Sequence, residues 1–148
     1  MKIDSIGRDF IYKHEAVRLK AYLDVVGVPT IGCGMTFYPG GKPVKIGDNI
    51  SLKQCDDMFT AVVADFEKAV SAAIKVPINQ NQFNALVSLA YNIGTAGFAK
   101  STLVKRINAG ASPDLITAAF AMWNKAGGKV NSTLKQRRAD EAKLYFKI

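Results

Sequence analysis

Residues 13–36 read KHEAVRLKAYLDVVGVPTIGCGMT, and the rest of the chain is interpreted around this stretch. Glu15 ends a helical pattern, Asp24 follows nine residues later, and Thr30 stands six residues after that. A Gly-x-Gly turn at residues 32–34 comes directly afterwards. Two carboxyls and a hydroxyl in this order can support acid/base chemistry.

The helix before Glu15 is predicted from the spacing of its apolar residues. Ile3, Ile6, Phe10 and Ile11 recur at three to four residues and define one apolar face. Glu15 lies one turn beyond Ile11, where that face reaches the edge of the packed core. A carboxyl at such a boundary is partly desolvated, which favours its protonated form. Glu15 is therefore a candidate general acid.

Residues 22–31 predict a short β-hairpin whose turn is supplied by Gly27. We expect Asp24, on this hairpin, to be hydrated and charged, and Thr30 to offer a hydroxyl that holds a water. Two carboxyls in contrasting surroundings are typical of glycosidic-bond hydrolysis and of other acid/base enzymes. The spacing alone still favours an ordinary surface hairpin over catalysis.

Composition indicates one globular domain without a cofactor. The chain has 148 residues, with 49% hydrophobic and 22% charged residues, enough to bury a core. Cys33 and Cys55 are predicted to be free thiols that pack in the interior, with a single disulfide as the alternative. Because no cluster of metal-ligand residues is evident, we predict neither a metal nor a cofactor.

The N-terminus and the charge bear on location and partners. Residues 1–9 hold four charged residues and no long apolar run, so synthesis in the cytoplasm without a signal peptide is predicted. No stretch has the roughly 20 apolar residues of a membrane span. The net charge of +8 favours a polyanionic partner, either nucleic acid or a bacterial cell wall. Since no nucleic-acid-binding motif accompanies the charge, the wall is the better prediction.

An α+β architecture with a small and a large lobe is predicted. Residues 16–50, rich in turn signals, form a β-containing lobe. Residues 51–76 form a long connecting helix that begins at a capping box of Ser51 and Gln54 and ends before Pro77. Residues 77–148, together with the N-terminal helix 1–14, form the helical lobe.

Several features are predicted within the helical lobe. A buried central helix runs from Asn79 to Gly94, residues 97–98 turn the chain, and Ser101 and Ser112 each cap a further helix. Residues 125–132 are predicted as a loop, and the last helix runs from about residue 133 to 146.

The pattern Glu15-x8-Asp24-x5-Thr30-Ile31-Gly32-x-Gly34 closely resembles the catalytic motif of phage-type lysozymes, the endolysins of glycoside hydrolase family 24. Four later stretches agree with it in the same order, so the resemblance covers nearly the whole chain: AYNIG at 90–94, GFAKS at 97–101, WNKAGG at 123–128 and QRRADE at 136–141.

The resemblance implies a lysozyme-like fold with an active-site cleft between the two lobes. It implies hydrolysis of the β-1,4 bond between N-acetylmuramic acid and N-acetylglucosamine in peptidoglycan. Glu15 would protonate the leaving oxygen, while Asp24 and Thr30 would position water on the opposite face, with inversion at the anomeric carbon. The protein would be a monomer that binds no nucleic acid, does not insert stably in membranes, and reaches the wall after a separate protein permeabilises the membrane.

The resemblance also assigns supporting residues. Arg138 would pair with Glu15, and saccharide would contact the chain at four further positions: Gly34, Thr36, Tyr91 and Ser101.

Met35 stands where the family often has histidine, and Cys33 where it has an aromatic or aliphatic residue. The missing histidine is expected to bear on stability or pH optimum more than on the reaction. Two alternatives stay open: a non-catalytic module that binds wall polymer or nucleic acid, and a lytic transglycosylase.

Overall fold

The computed structural model describes residues 1–148 as seven helices and two two-stranded antiparallel sheets. The chain forms two compact units, one of residues 9–65 and one of residues 1–8 with 66–148. The lobe boundaries expected from the sequence stay a prediction. In chain order the elements are α1 (Ser5–Glu15), β1 (Arg18–Leu23), β2 (Pro29–Gly32), α2 (Leu52–Ala73), α3 (Gln80–Ile93), α4 (Thr95–Ala99), α5 (Thr102–Asn108), α6 (Pro113–Ala121), β3 (Lys125–Ala126), β4 (Lys129–Val130) and α7 (Ser132–Tyr145).

The unit of residues 9–65 is built around the predicted hairpin, which is confirmed. β1 and β2 pair antiparallel, with Tyr22 opposite Thr30. Gly27 takes φ +81°, a left-handed conformation that glycine adopts without steric cost. Residues 48–50 lie along the other edge of β1, where the Ala21 amide donates to the Asp48 carbonyl at 2.9 Å. β1 is therefore held on both edges.

The long helix α2 begins at the predicted capping box. The backbone N–H of Gln54 donates to Ser51 Oγ at 3.0 Å, and the backbone N–H of Ser51 donates to Gln54 Oε1 at 2.8 Å. Leu52, the first residue of α2, is exposed because it precedes the turn at which the helix starts to pack. Cys33 and Cys55 are buried free thiols, as predicted, and burial raises the pKa of Cys55.

The apolar face predicted for α1 is wrong at Ile6, which is exposed, whereas Ile11 is fully buried. Gly7 is buried in its place. A Cβ added at Gly7 would lie 2.6 Å from Asn84 Oδ1, so the missing side chain lets α1 approach α3 closely. Hydrophobic spacing could not show that this contact uses a glycine.

Helix α3 is the predicted buried helix of the unit that holds residues 66–148. Residues 83–90 are all buried, and the helix packs chiefly on α7. Its N-terminus is a capping box of Asn79 and Gln82. The helix begins after Asn79 and ends at Gly94, as predicted.

Two segments of this unit differ from the prediction. Residues 97–98 lie inside the short helix α4 and do not form a turn. Residues 125–130, expected as a loop, form a hairpin of β3 and β4 joined by Gly127 and Gly128, whose φ angles of +59° and +80° suit a tight two-residue connection. No helix is both long and apolar enough to cross a lipid bilayer.

Candidate functional site

Glu15 is the last residue of α1, and the backbone fixes where its side chain leaves the helix. The next residue, Ala16, takes φ +54°, and its amide donates to the Tyr12 carbonyl at 3.1 Å. For a residue with a side chain, this left-handed conformation costs about 1–2 kcal/mol. Tyr12 anchors the turn because its hydroxyl donates to Asp56 Oδ1 at 2.6 Å and its ring packs 5.0 Å from Phe59.

The Glu15 carboxylate lies over the Gly-x-Gly turn. A Cβ built on Gly34 would be 3.3 Å from Glu15 Oε1, and Gly34 takes φ +71°. Ile31 and Met35 close this turn by exchanging two backbone hydrogen bonds of 2.8 and 3.0 Å. This turn comes just after Thr30 in the chain. The Glu15 carboxylate therefore lies next to the segment that carries the Thr30 hydroxyl.

Asp24 and Thr30 are joined through one residue, Val28. Asp24 Oδ1 accepts from the amides of Val26 at 3.0 Å and Val28 at 2.9 Å. The Thr30 hydroxyl donates to the Val28 carbonyl at 2.9 Å. The backbone of Val28 thus orients both the Asp24 carboxylate and the Thr30 hydroxyl.

These contacts limit what each group can do chemically. Since the Thr30 hydroxyl uses its hydrogen on Val28, it can accept a hydrogen bond from a water but has no second hydrogen to give. Asp24 accepts both hydrogen bonds of its turn through Oδ1, which leaves Oδ2 able to accept a proton. The hairpin is therefore suited to orient and activate a water molecule.

The other predicted contact residues lie in two places. Gly34 is exposed, and Thr36, half-buried just after the turn, accepts from the Val44 amide at 3.0 Å through its carbonyl. Tyr91 is half-buried at the end of α3, with its ring 5.1 Å from Phe66. Ser101 is buried and caps α5 by accepting from the Val104 amide at 3.2 Å.

Sequence reasoning missed the buried partner of Arg138. Arg138 Nε lies 2.6 Å from Glu141 Oε1, and Arg137 Nε lies 3.3 Å from Glu141 Oε2. The Ser88 hydroxyl donates to Glu141 Oε2 at 2.6 Å. Burial raises the pKa of Glu141, whereas the two guanidiniums act in the opposite direction. An Arg-Arg pair three and four residues before Glu141 was the available signal, but spacing cannot show that all three side chains are buried.

Comparison with known proteins decides the family. The sequence profile of the family described as "Phage lysozyme" matches residues 12–141. The chain belongs to the phage lysozyme family. The resemblance expected from its motifs is therefore confirmed.

Several relatives extend the match to the whole chain. The endolysin of Salmonella phage P22 is 37% identical over 96% of this chain and 97% of that protein. The endolysin of Bacillus phage PZA is 40% identical over 98% of this chain, which spans only 55% of that longer protein. The structure of an endolysin from Escherichia coli O157:H7 phage FAHEc1 superposes with a TM-score of 0.92, at 42% identity over 99% of this chain and 94% of that one.

These similarities confirm the predicted lysozyme-like α+β fold and the function of a peptidoglycan-hydrolysing lysozyme. None of them favours the non-catalytic binding module.

The contact between Glu15 and Gly34 leads to a prediction for this lysozyme. We expect Gly34→Ala to lower kcat/KM by about tenfold, because the new methyl group displaces the Glu15 carboxylate by a few tenths of an ångström. Gly110→Ala is the matched control, since Gly110 has nearly the same φ of +70° but nothing within 4 Å of its added Cβ. Both variants should lose similar stability in urea unfolding, and only Gly34→Ala should lose activity. Equal activity in the two variants would contradict the assigned contact.

Proposed function

We propose that this lysozyme is a muramidase that cleaves the β-1,4 bond between N-acetylmuramic acid and N-acetylglucosamine with inversion of configuration. The observation that carries the proposal is the arrangement within residues 9–65. One carboxylate, Glu15, lies over the turn that follows Thr30, while a second, Asp24, shares Val28 with the Thr30 hydroxyl. An acid and a separate water-orienting pair are the components that inversion requires.

Glu15 is proposed as the general acid. Its position at the end of a helix, with Oε1 over the Gly34 turn, supports this role by placing the carboxyl beside the segment that carries Thr30. Fixed placement matters because a general acid accelerates the reaction only when it lies within hydrogen-bond reach of the atom it protonates.

Asp24 and Thr30 are proposed to act on the water. Thr30 accepts one hydrogen of the water, and Asp24 Oδ2 accepts the other as the oxygen attacks the anomeric carbon. Inverting glycosidases keep their two carboxyls about 6.5–9.5 Å apart, which leaves room for this water. We expect the Glu15 and Asp24 carboxyls to lie within that range.

The remaining assignments extend this proposal to the rest of the chain. Arg138 is proposed to pair with Glu15, as the resemblance implies; the structure shows its guanidinium in contact with Glu141. Gly34, Thr36, Tyr91 and Ser101 are proposed to contact saccharide.

The protein is proposed to act as a monomer on the bacterial wall during host lysis, without binding nucleic acid or inserting stably in a membrane. It would reach the wall from the cytoplasm after a separate protein has permeabilised the membrane. Its formal charge of +8 supports attraction to the anionic wall.

The stereochemistry of the product tests the proposed mechanism. Proton NMR of early digestion products should show the α-anomer of the new N-acetylmuramic acid end before mutarotation produces the β-anomer. The β-anomer appearing first would exclude inversion. Mass spectrometry of the same products should find the full mass of hydrolysed muropeptides; products lighter by one water would identify a 1,6-anhydro end and a transglycosylase.

A further inference from the structure

The tip of the β1–β2 hairpin carries apolar side chains into solvent. Val25 is fully exposed, Val26 is 78% exposed, and the flanking Leu23 and Val28 are 58% and 40% exposed. Hairpin turns are usually built from Gly, Pro, Asn, Asp and Ser, so two consecutive valines at the tip are unusual. Clustered exposed apolar groups of this kind mark a surface that binds a ligand or partner.

This apolar tip is rigidly connected to the proposed water-activating carboxylate. Asp24 Oδ1 accepts from the amides of Val26 and Val28, so the valines keep a fixed position relative to Asp24. Gly27, with φ +81°, completes the same turn. A polymer held at Asp24 can therefore place a substituent next to Val25 and Val26.

The hairpin also carries positive charge at a defined place. The Arg18 guanidinium stacks over the Tyr22 ring at 4.6 Å, and Tyr22 lies opposite Thr30 in the strand pairing. Lys20, on the same strand, is exposed. A ligand long enough to extend from the tip along the hairpin has small apolar groups for the valines and negative charge for Arg18 and Lys20.

We propose that the hairpin tip binds the stem peptide of peptidoglycan. Stem peptides are rich in alanine and carry free carboxylates, so their methyl groups match Val25 and Val26 and their charge matches Arg18. The proposal rests on the proposed cleavage of the glycan, because that reaction places the peptide-bearing muramyl residue at Asp24. The hairpin then selects peptide-bearing strands over bare glycan.

The test compares uncross-linked glycan strands with the same strands after an amidase has removed the stem peptides. We expect Val25→Ser combined with Val26→Ser to lower kcat/KM by about tenfold on peptide-bearing strands and by less than about twofold on stripped strands. Arg18→Gln should show the same selectivity, with a loss that shrinks as salt is added. Ile46→Ser is the control, since Ile46 is 58% exposed in the same unit but lies outside the hairpin.

A binding measurement makes the test independent of cleavage. The methyl resonances of Val25 and Val26 should shift on titration with free stem tetrapeptide, while those of Ile46 stay in place. Equal losses on both kinds of strand, or methyl resonances that do not respond to the peptide, would overturn the proposal. Shifts that follow protein concentration without peptide would assign the tip to a second copy of the chain, and so overturn it as well. Failure of the wild type to cleave either strand would instead reject the proposed hydrolysis, and the titration would still decide the peptide site.

Discussion

Glu15→Gln is expected to reduce peptidoglycan hydrolysis by roughly 10²- to 10⁴-fold, the contribution typical of a positioned general acid. The amide keeps the shape of the carboxyl over the Gly34 turn but has no acidic proton to give to the leaving oxygen. The measurement is the loss of turbidity of outer-membrane-permeabilised bacteria, together with release of muropeptides. Thermal unfolding should show that the variant stays folded.

Asp65→Asn is a suitable control, since it makes the same carboxyl-to-amide change at an exposed position of α2. This variant should retain wild-type activity. Undiminished lysis by Glu15→Gln would remove the assigned role of Glu15. Equal losses of activity in both variants would mean that the change in net charge causes the loss. Each variant removes one negative charge from a chain that already carries +8.

Glu141→Ala is expected to destabilise the fold by about 3–5 kcal/mol, since it leaves two buried guanidiniums without their carboxylate. Arg137 and Arg138 both contact Glu141, and none of the three side chains is more than 5% exposed. The change is large against a total stability of about 5–15 kcal/mol for an ordinary domain. Urea unfolding at neutral pH measures it.

The exposed pair of Lys53 and Asp57 provides the comparison. It has the same four-residue spacing as Arg137 and Glu141, but its side chains are 85% and 68% exposed. Asp57→Ala should therefore cost less than about 1 kcal/mol, because water screens the pair and replaces its contacts. Similar losses in the two variants would mean that burial does not control the strength of the Glu141 interactions.

The amino-acid sequence by itself determined the local features of this lysozyme. The capping boxes at Ser51 and Asn79 and the hairpin turn at Gly27 were all predictable. Each depends on residues within about four positions of one another, so the information needed to form it lies in a short stretch. The motif from Glu15 to Gly34 identified the family for the same reason, since its residue types and spacing can be read directly from the sequence.

Only the tertiary structure decided which residues these local elements bring together. Ile6 fits the apolar spacing of α1 yet is exposed, because Gly7 makes the close contact with α3. Arg138 has Glu141 as a buried partner, and the Glu15 carboxylate lies over Gly34, a residue 19 positions away. Burial and partner choice depend on how separate segments pack, and many packings satisfy the same hydrophobic spacing. The sequence therefore named the candidate groups, whereas the folded chain decided which residues contact them.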